Sequence, residues 1–137
     1  MKYRLTTTTS TSPTKGYIND AGWDLHAVSD VVIKVGETLV LNTGLKLEIP
    51  SGYCGIISER SSQGLVGIHT IGNIIDSSYR GEIHVVIQNN GSEDYHIQLG
   101  DKFAQLIIVK IYDGNIVESN SLLPSSRGSK GFGSTGA

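Results

Sequence analysis

The chain has 137 residues, 38% apolar and 18% charged. That is the length of one domain, which removes roughly two-thirds of its unfolded surface from water without covalent staples. The formal net charge of −2 comes from 11 basic and 13 acidic side chains spread along the sequence, which argues against a broad footprint for a nucleic-acid polymer. Cys54 is the sole cysteine, so an intrachain disulfide is excluded, and one thiol with four histidines gives no zinc-like spacing.

The opening MKYRLTTTTSTSPTKGY lacks the apolar run of a secretory signal. No later stretch approaches the ~18 to 20 apolar residues of a membrane span. The expectation is a soluble protein of the reducing cytoplasm with no membrane partner. Seventeen glycines and many Ile, Val, Thr and Tyr residues favour strands. Thr6 to Thr14, rich in hydroxyls, reads as exposed chain. DAGWDLHA (20–27) places Asp20 and Asp24 near a glycine and a large aromatic. It is either a buried strand with Trp23 and Leu25 facing inward or a stretch whose acids serve a site.

TLVLN (38–42) and LKLEI (45–49) alternate about Thr43-Gly44, which predicts two strands with a short hairpin-like connection. ERSSQG (59–64) sets an arginine beside two serines after an apolar strand. Such groups converge on an anion, or form an ordinary polar loop. Ser61 to Val66 has room for a turn or two of helix. In IGNIIDSSYRGEI (71–83), Asp76 follows Ile74-Ile75 directly and is expected at the edge of the core with little water around it. A tight turn through Tyr79, Arg80 and Gly81 comes next, and the aspartate either caps that turn or positions a ligand.

EIHVVIQNN (82–90) predicts a strand ending at the Asn90-Gly91 turn, followed by YHIQL (95–99). KFAQLIIVKIY (102–112) is too rich in β-branched residues to prefer a helix and closes at Asp113-Gly114. Gln105 lies among apolar neighbours, where its amide needs a partner that a backbone group can supply. From Ser119 onward apolar residues thin out, and RGSKGFGSTGA (127–137) cannot bury enough to fold alone. The expected organisation is one β-rich sandwich or barrel over 1–118 and a flexible arm over 119–137. The arm has the makings of a phosphate clasp in its glycines, Ser134, Thr135 and the planar fork of Arg127. Phe132 adds a face for an aromatic base, worth about 1 to 3 kcal/mol; the other reading is a plain Gly/Ser terminus.

Taken in order, AGWDL, RSS with the following QGL, IIDSSYRGE, GDKFAQLI and RGSKGFGSTG resemble the five motifs of the trimeric dUTPase family, the deoxyuridine triphosphate nucleotidohydrolases. The resemblance implies an all-β, jelly-roll-like barrel assembled as a homotrimer whose active sites are shared between chains. The implied activity is hydrolysis of dUTP to dUMP and pyrophosphate with Mg²⁺, which limits uracil in DNA and supplies dUMP for thymidylate synthesis.

The site residues implied are these. Asp76 orients a water for attack on the α-phosphorus and meets the sugar 3′-hydroxyl. Gln105 helps hold that water and the α-phosphate. Tyr79 packs on deoxyribose and excludes a 2′-hydroxyl. Arg60, Ser61 and Ser62 bind phosphates, with Ser61 near the bridging oxygen that leaves. Asp24 reaches Mg²⁺ through coordinated water. Uracil is met by Asn73, Ile74 and Ile75 and near His84. From another subunit, Phe132 stacks over the base while Arg127, Gly133, Ser134 and Thr135 embrace the phosphates.

Departures from the family pattern are also present. Asn73 stands in place of a glycine, which adds a side chain beside the base. Ile56 and Glu59 stand where an arginine and a proline are frequent, Ser62 where a glycine is, Ser78 where an acid is, and Lys130 where a glycine is. Two alternatives accompany the resemblance: a dCTP deaminase-like enzyme of the same architecture, and a non-catalytic or moonlighting trimer that engages a regulatory protein. Deamination needs a glutamate-centred acid/base arrangement at the base, and the intact third and fifth motifs favour hydrolysis. Retention of Asp76, Arg60 and Arg127 argues against a silent protein.

Overall fold

Side-chain alternation decides the layering. In EIHVVIQN (82–89), Ile83, Val85, Ile87 and Asn89 are buried while the intervening residues face outward, as a strand with one face on a core requires. The computed structural model describes residues 1–131. In chain order the elements are β1 (Lys2–Leu5), β2 (Gly22–His26), β3 (Val31–Ile33), β4 (Thr38–Glu48), β5 (Tyr53–Ser58), α1 (Ser61–Leu65), β6 (Ile68–Ile71), β7 (Ile74–Ile75), β8 (Glu82–Asn89), β9 (Tyr95–Ile97) and β10 (Lys102–Lys110). All pairings are antiparallel. They make one sheet in the order β1-β4-β8-β6, a second in the order β2-β10-β5-β7, and a ribbon of β3 with β9.

The core lies between these layers in a jelly-roll-like barrel. Leu25, Ile57, Phe103 and Leu106 enter from one sheet, Leu45, Ile68, Ile83 and Ile87 from the other, and Ile33 from the ribbon, each no more than 2% exposed. Burial of each such side chain contributes about 1.5 to 3 kcal/mol. Trp23 shares the inward side of β2 with Leu25 but is only half-buried, and the Lys15 ammonium sits 4.0 Å from its ring centroid. Thr6 to Pro13 is largely exposed, outside any strand, and held by local hydroxyl contacts such as Thr7 with Ser10 at 2.7 Å. No helix among the described residues is long and apolar enough to cross a membrane.

Thr43-Gly44 does not join two strands. It lies inside the eleven-residue β4, whose pairing with β8 slips between Asn42 and Lys46 and then resumes. Gly44 takes φ +63°. Thr43 Oγ1 donates to the Ile83 carbonyl at 2.7 Å, and the Gly44 N–H donates to Glu82 Oε1 at 3.0 Å. The irregular residues are satisfied by the partner strand and its side chain, so the glycine marks a bulge. β10 likewise stops at Lys110, short of the Asp113-Gly114 pair.

A second irregularity lies between β6 and β7. Ile71 on β6 pairs with Val86 in the first sheet, and Ile74 on β7 pairs with Ile56 in the second. The chain changes sheets across Gly72 (φ +66°) and Asn73. The 76–81 segment that follows connects the two sheets as the tip of an irregular hairpin.

Candidate active site

The adjacency of β2, β10 and β5 builds a cleft. The register sets Gln105 opposite Asp24 on one side and Ser58 on the other, so side chains distant in sequence share a face. Asp24 accepts from two cations, Arg60 Nε at 3.2 Å and Lys102 Nζ at 2.8 Å. Each pair joins a mostly buried carboxylate to a cation more than a third exposed, and pairs open to water on one side add little stability, about 0 to 1 kcal/mol. Their effect is placement: Asp24 fixes the Arg60 and Lys102 side chains at the cleft, where with Asp20 the lining holds two cations and two carboxylates, so an anion is met by the placed Arg60 and Lys102 rather than by an excess of positive charge. Ser61 and Ser62 open α1 at the rim, and the loop from Gly16 to Asp20 forms a wall, enclosing about 440 Å³. Gln105 Nε2 donates to the Glu59 carbonyl at 2.9 Å, the backbone bond its surroundings called for.

Gln63 pins Arg60 in place and was not singled out by the sequence reading. It is 2% exposed. Its Oε1 accepts the Arg60 N–H at 2.9 Å, and its Nε2 donates to the Phe103 carbonyl at 2.8 Å. The available signal was a glutamine at the third position of a short helix, where a side chain reaches back to the cap residue's amide.

The carboxyl of Glu59 is held below the usual carboxylate range, first by its own amide and then by hydrogen bonds from Thr70, with burial opposing. His26 is buried with Nδ1 lacking a hydrogen-bond partner. Burial, then the nearby Lys102, pushes its imidazole below the ordinary histidine value, while Asp24 pulls the other way.

The hairpin tip has a different character. Asp76 is exposed in the single chain, which corrects the expectation of a carboxylate at the core edge. The Ile74 beside it on β7 is itself 60% exposed, so no core surrounds the acid. The Tyr79 N–H donates to the Asp76 carbonyl at 3.1 Å, and Tyr79 Oη donates to the Glu82 carbonyl at 2.9 Å. The Tyr79 ring rests against Gly81, where an added Cβ would collide with it. Arg80 folds back onto the Ser77 and Tyr79 carbonyls at 2.6 and 2.9 Å. Asn73 turns its amide inward, Nδ2 donating to the Thr70 carbonyl at 3.2 Å, with Oδ1 enclosed and unpartnered. Its carbonyl accepts the Ile57 N–H at 2.8 Å. His84 is exposed on β8 opposite Asn42.

The expected site residues thus fall into groups. Asp24, Arg60, Ser61, Ser62 and Gln105 line one cleft; Asn73, Ile74, Ile75, Asp76 and Tyr79 belong to the hairpin and do not line it. Arg127 is exposed in the C-terminal stretch, its Nε donating to the Lys130 carbonyl at 3.0 Å. Phe132, Gly133, Ser134 and Thr135 lie outside the described residues. Among the described residues no group of three or more His, Cys, Asp or Glu side chains gathers to hold a metal. Asp24, with Asp20 as the second carboxylate lining the cleft, gives too few ligands for an all-protein cage and suits a Mg²⁺ that keeps several waters and takes phosphate oxygens.

The sequence matches the dUTPase family over residues 8–136. It is 40% identical over 125 residues to the deoxyuridine 5′-triphosphate nucleotidohydrolase of cowpox virus (strain GRI-90 / Grishak), covering 91% of this chain and 85% of the viral one. It is 39% identical over 138 residues to the Saccharomyces cerevisiae protein of the same name, covering 99% and 94%. Among solved structures, the dUTPase of Staphylococcus bacteriophage 80alpha with dUpNHpp is similar at a TM-score of 0.93 and 25% identity, over 99% of this chain and 98% of that one. A variant dUTPase of S. aureus phage phi11, whose structure reveals the coordination of a structural Mg(II) ion, is similar at 0.82 and 25% identity, over 88% and 96%. With the strand order, the motif order and the matched length in agreement, the chain belongs to the dUTPase family of deoxyuridine triphosphate nucleotidohydrolases.

Proposed function

We propose that this chain hydrolyses dUTP to dUMP and pyrophosphate in sites completed between copies of a homotrimer, with Asp76 aiming the attacking water. One observation carries the reading. The cleft with Arg60, Ser61 and Ser62 lacks the hairpin with Asp76 and Tyr79, and that hairpin stands exposed beside the apolar Ile74. A cleft from one chain and a hairpin from another supply what neither has alone.

In the assembled site, Arg60 and the Ser61 and Ser62 hydroxyls bind the triphosphate, with charge-assisted bonds from the guanidinium. The Asp76 carboxylate accepts a hydrogen bond from a water in line with the α-phosphorus and takes its proton as the new P–O bond forms. The bond from the α-phosphorus to the bridging oxygen breaks, and its electron pair leaves on pyrophosphate, with Ser61 donating towards that oxygen. A positioned base of this kind contributes about 10²- to 10⁴-fold. Gln105 holds the water and α-phosphate from the cleft side. Mg²⁺, when bound, neutralises charge on the triphosphate oxygens, and Asp24 would hold it through coordinated water. The phage 80alpha relative with dUpNHpp supports binding of a deoxyuridine triphosphate-like ligand, and the phi11 relative holds a structural Mg(II) ion.

Backbone groups of Asn73 to Ile75 and the chain near His84 read the uracil edge; a mismatched cytosine leaves a donor unpaired, costing about 1 to 3 kcal/mol. Since the Asn73 side chain turns inward, its contribution is through the backbone. Residues 119–137 serve as the arm, bringing Arg127, Phe132, Gly133, Ser134 and Thr135 over a neighbouring site. The chain is exposed throughout from Lys110 to Gly131, which supports that role. Cytoplasmic hydrolysis of this kind limits uracil in DNA.

Steady-state turnover of the common deoxynucleoside triphosphates, with and without Mg²⁺, tests the reading. The expected result is Mg²⁺-dependent release of pyrophosphate from dUTP alone. Ammonia release from dCTP would make it a deaminase, and full activity in a sedimenting monomer would overturn the shared site.

A further inference from the structure

Glu59 immediately precedes Arg60, where the family frequently has proline. Proline fixes φ and has no side chain that reaches elsewhere. Here the carboxylate crosses to β6: Oε2 accepts from Thr70 Oγ1 at 3.0 Å and from the Thr70 N–H at 3.4 Å, and Oε1 lies 3.9 Å from His69 Nδ1. The backbone of the same residue serves the cleft, since its carbonyl accepts from Gln105 Nε2 at 2.9 Å and from Ser58 Oγ at 3.2 Å. Thr70 in turn accepts from Asn73 Nδ2 at 3.2 Å through its own carbonyl. One residue therefore ties the floor of the cleft to the strand that leads into the hairpin.

We propose that Glu59 is a positioning residue for the phosphate side of the reaction: its carboxylate, anchored on Thr70, fixes the end of β5 so that Arg60 and Gln105 hold their geometry. The inference rests on reading the cleft as the phosphate half of the site. Its effect falls on rate, because misplacing groups that meet the transition state lowers kcat before it unfolds anything.

The test compares Glu59→Ala, Glu59→Gln, Glu59→Pro and Thr70→Val in the full chain by kcat, KM and thermal midpoint. Glu59→Ala is expected to lower kcat/KM about tenfold, mainly in kcat. Thr70→Val, which removes the hydroxyl bond and leaves the longer N–H bond, should cause an equal or smaller loss, and the double variant no more than Glu59→Ala alone, because Glu59→Ala already removes both bonds. Glu59→Gln, which keeps an acceptor, and Glu59→Pro, which restores stiffness, should each stay within about threefold of the starting enzyme. Unchanged kinetics in Glu59→Ala, losses that multiply in the double variant, or a proline variant no better than alanine would overturn the proposal. If Glu59→Ala fails to fold, unchanged kcat/KM in Thr70→Val does the same. If the unmodified chain does not hydrolyse dUTP, the functional reading fails separately. Calorimetric titration with pyrophosphate then decides on Glu59: weaker binding in Glu59→Ala supports the positioning role, and equal binding ends it.

Discussion

In the cleft, Asp24 is engaged by Arg60 and Lys102, Gln105 by the Glu59 carbonyl, and the Arg60 amide by Gln63 before any ligand arrives. At the hairpin tip, Asp76 is exposed and, among the described residues, Arg80 bonds to carbonyls of its own turn. The two regions are separated by the change of sheets at Gly72 and Asn73. The lesson is a division of labour: one chain orders its cleft by its own contacts, whereas the tip stands open in the single chain and, on the proposed reading, is surrounded by a second copy.

The largest effect is expected where structure invests least. Asp76→Asn should lower kcat by about 10²- to 10⁴-fold while the thermal midpoint and sedimentation stay unchanged; near-normal turnover removes Asp76 from the chemistry. Mixing that variant with Arg60→Ala, each inactive alone, sharpens the comparison. Random reassembly should restore roughly a quarter of full turnover, because each site then needs an intact cleft from one chain and an intact hairpin from another. No recovery on refolding the two together would place both regions of each site in one chain.

On the cleft side, Gln63→Ala should cost about 2 to 4 kcal/mol in urea unfolding, since it strands the Arg60 amide and the Phe103 carbonyl in a buried place. A loss below about 0.5 kcal/mol, typical of a surface change, would show the pin is dispensable.

The smallest effect is in pH. The folded chain binds a proton at Glu59 less readily than the unfolded chain, so that stabilisation is complete above 4.5 and fades as pH falls through the lower folded value. His26, likewise lowered, acts in a higher window: stability declines as pH drops below 6.5 towards its folded value. Thermal midpoints against pH should lose the upper step in His26→Leu and the lower one in Glu59→Gln.

Much of the fold was legible because alternation is local. The pattern of β8 and the β-branched run of β10 identify strands without reference to anything distant, and the short helix at Ser61 lies where the sequence had room for it. Thr43-Gly44 misled because a positive-φ glycine is needed by a bulge as well as by a turn, and only the bonds from Ile83 and Glu82 decide between them. Asp76 misled because two preceding isoleucines suggest a core, yet Ile74 lies on an edge strand two residues long. The motifs identified Asp24, Arg60 and Gln105 individually. Their meeting depends on β10 lying between β2 and β5, a long-range pairing that no spacing encodes. Gln63 carried its signal in a single glutamine, which is weak until the Phe103 carbonyl is seen beside it.

Gly81 leaves vacant the space that the Tyr79 ring occupies. If that ring discriminates deoxyribose from ribose, its setting depends on an atom that is missing, and even one methyl at position 81 would tilt the gate. The harm would show as acceptance of UTP rather than as a weaker fold, so an ordinary screen for thermal robustness would pass the damaged enzyme as sound.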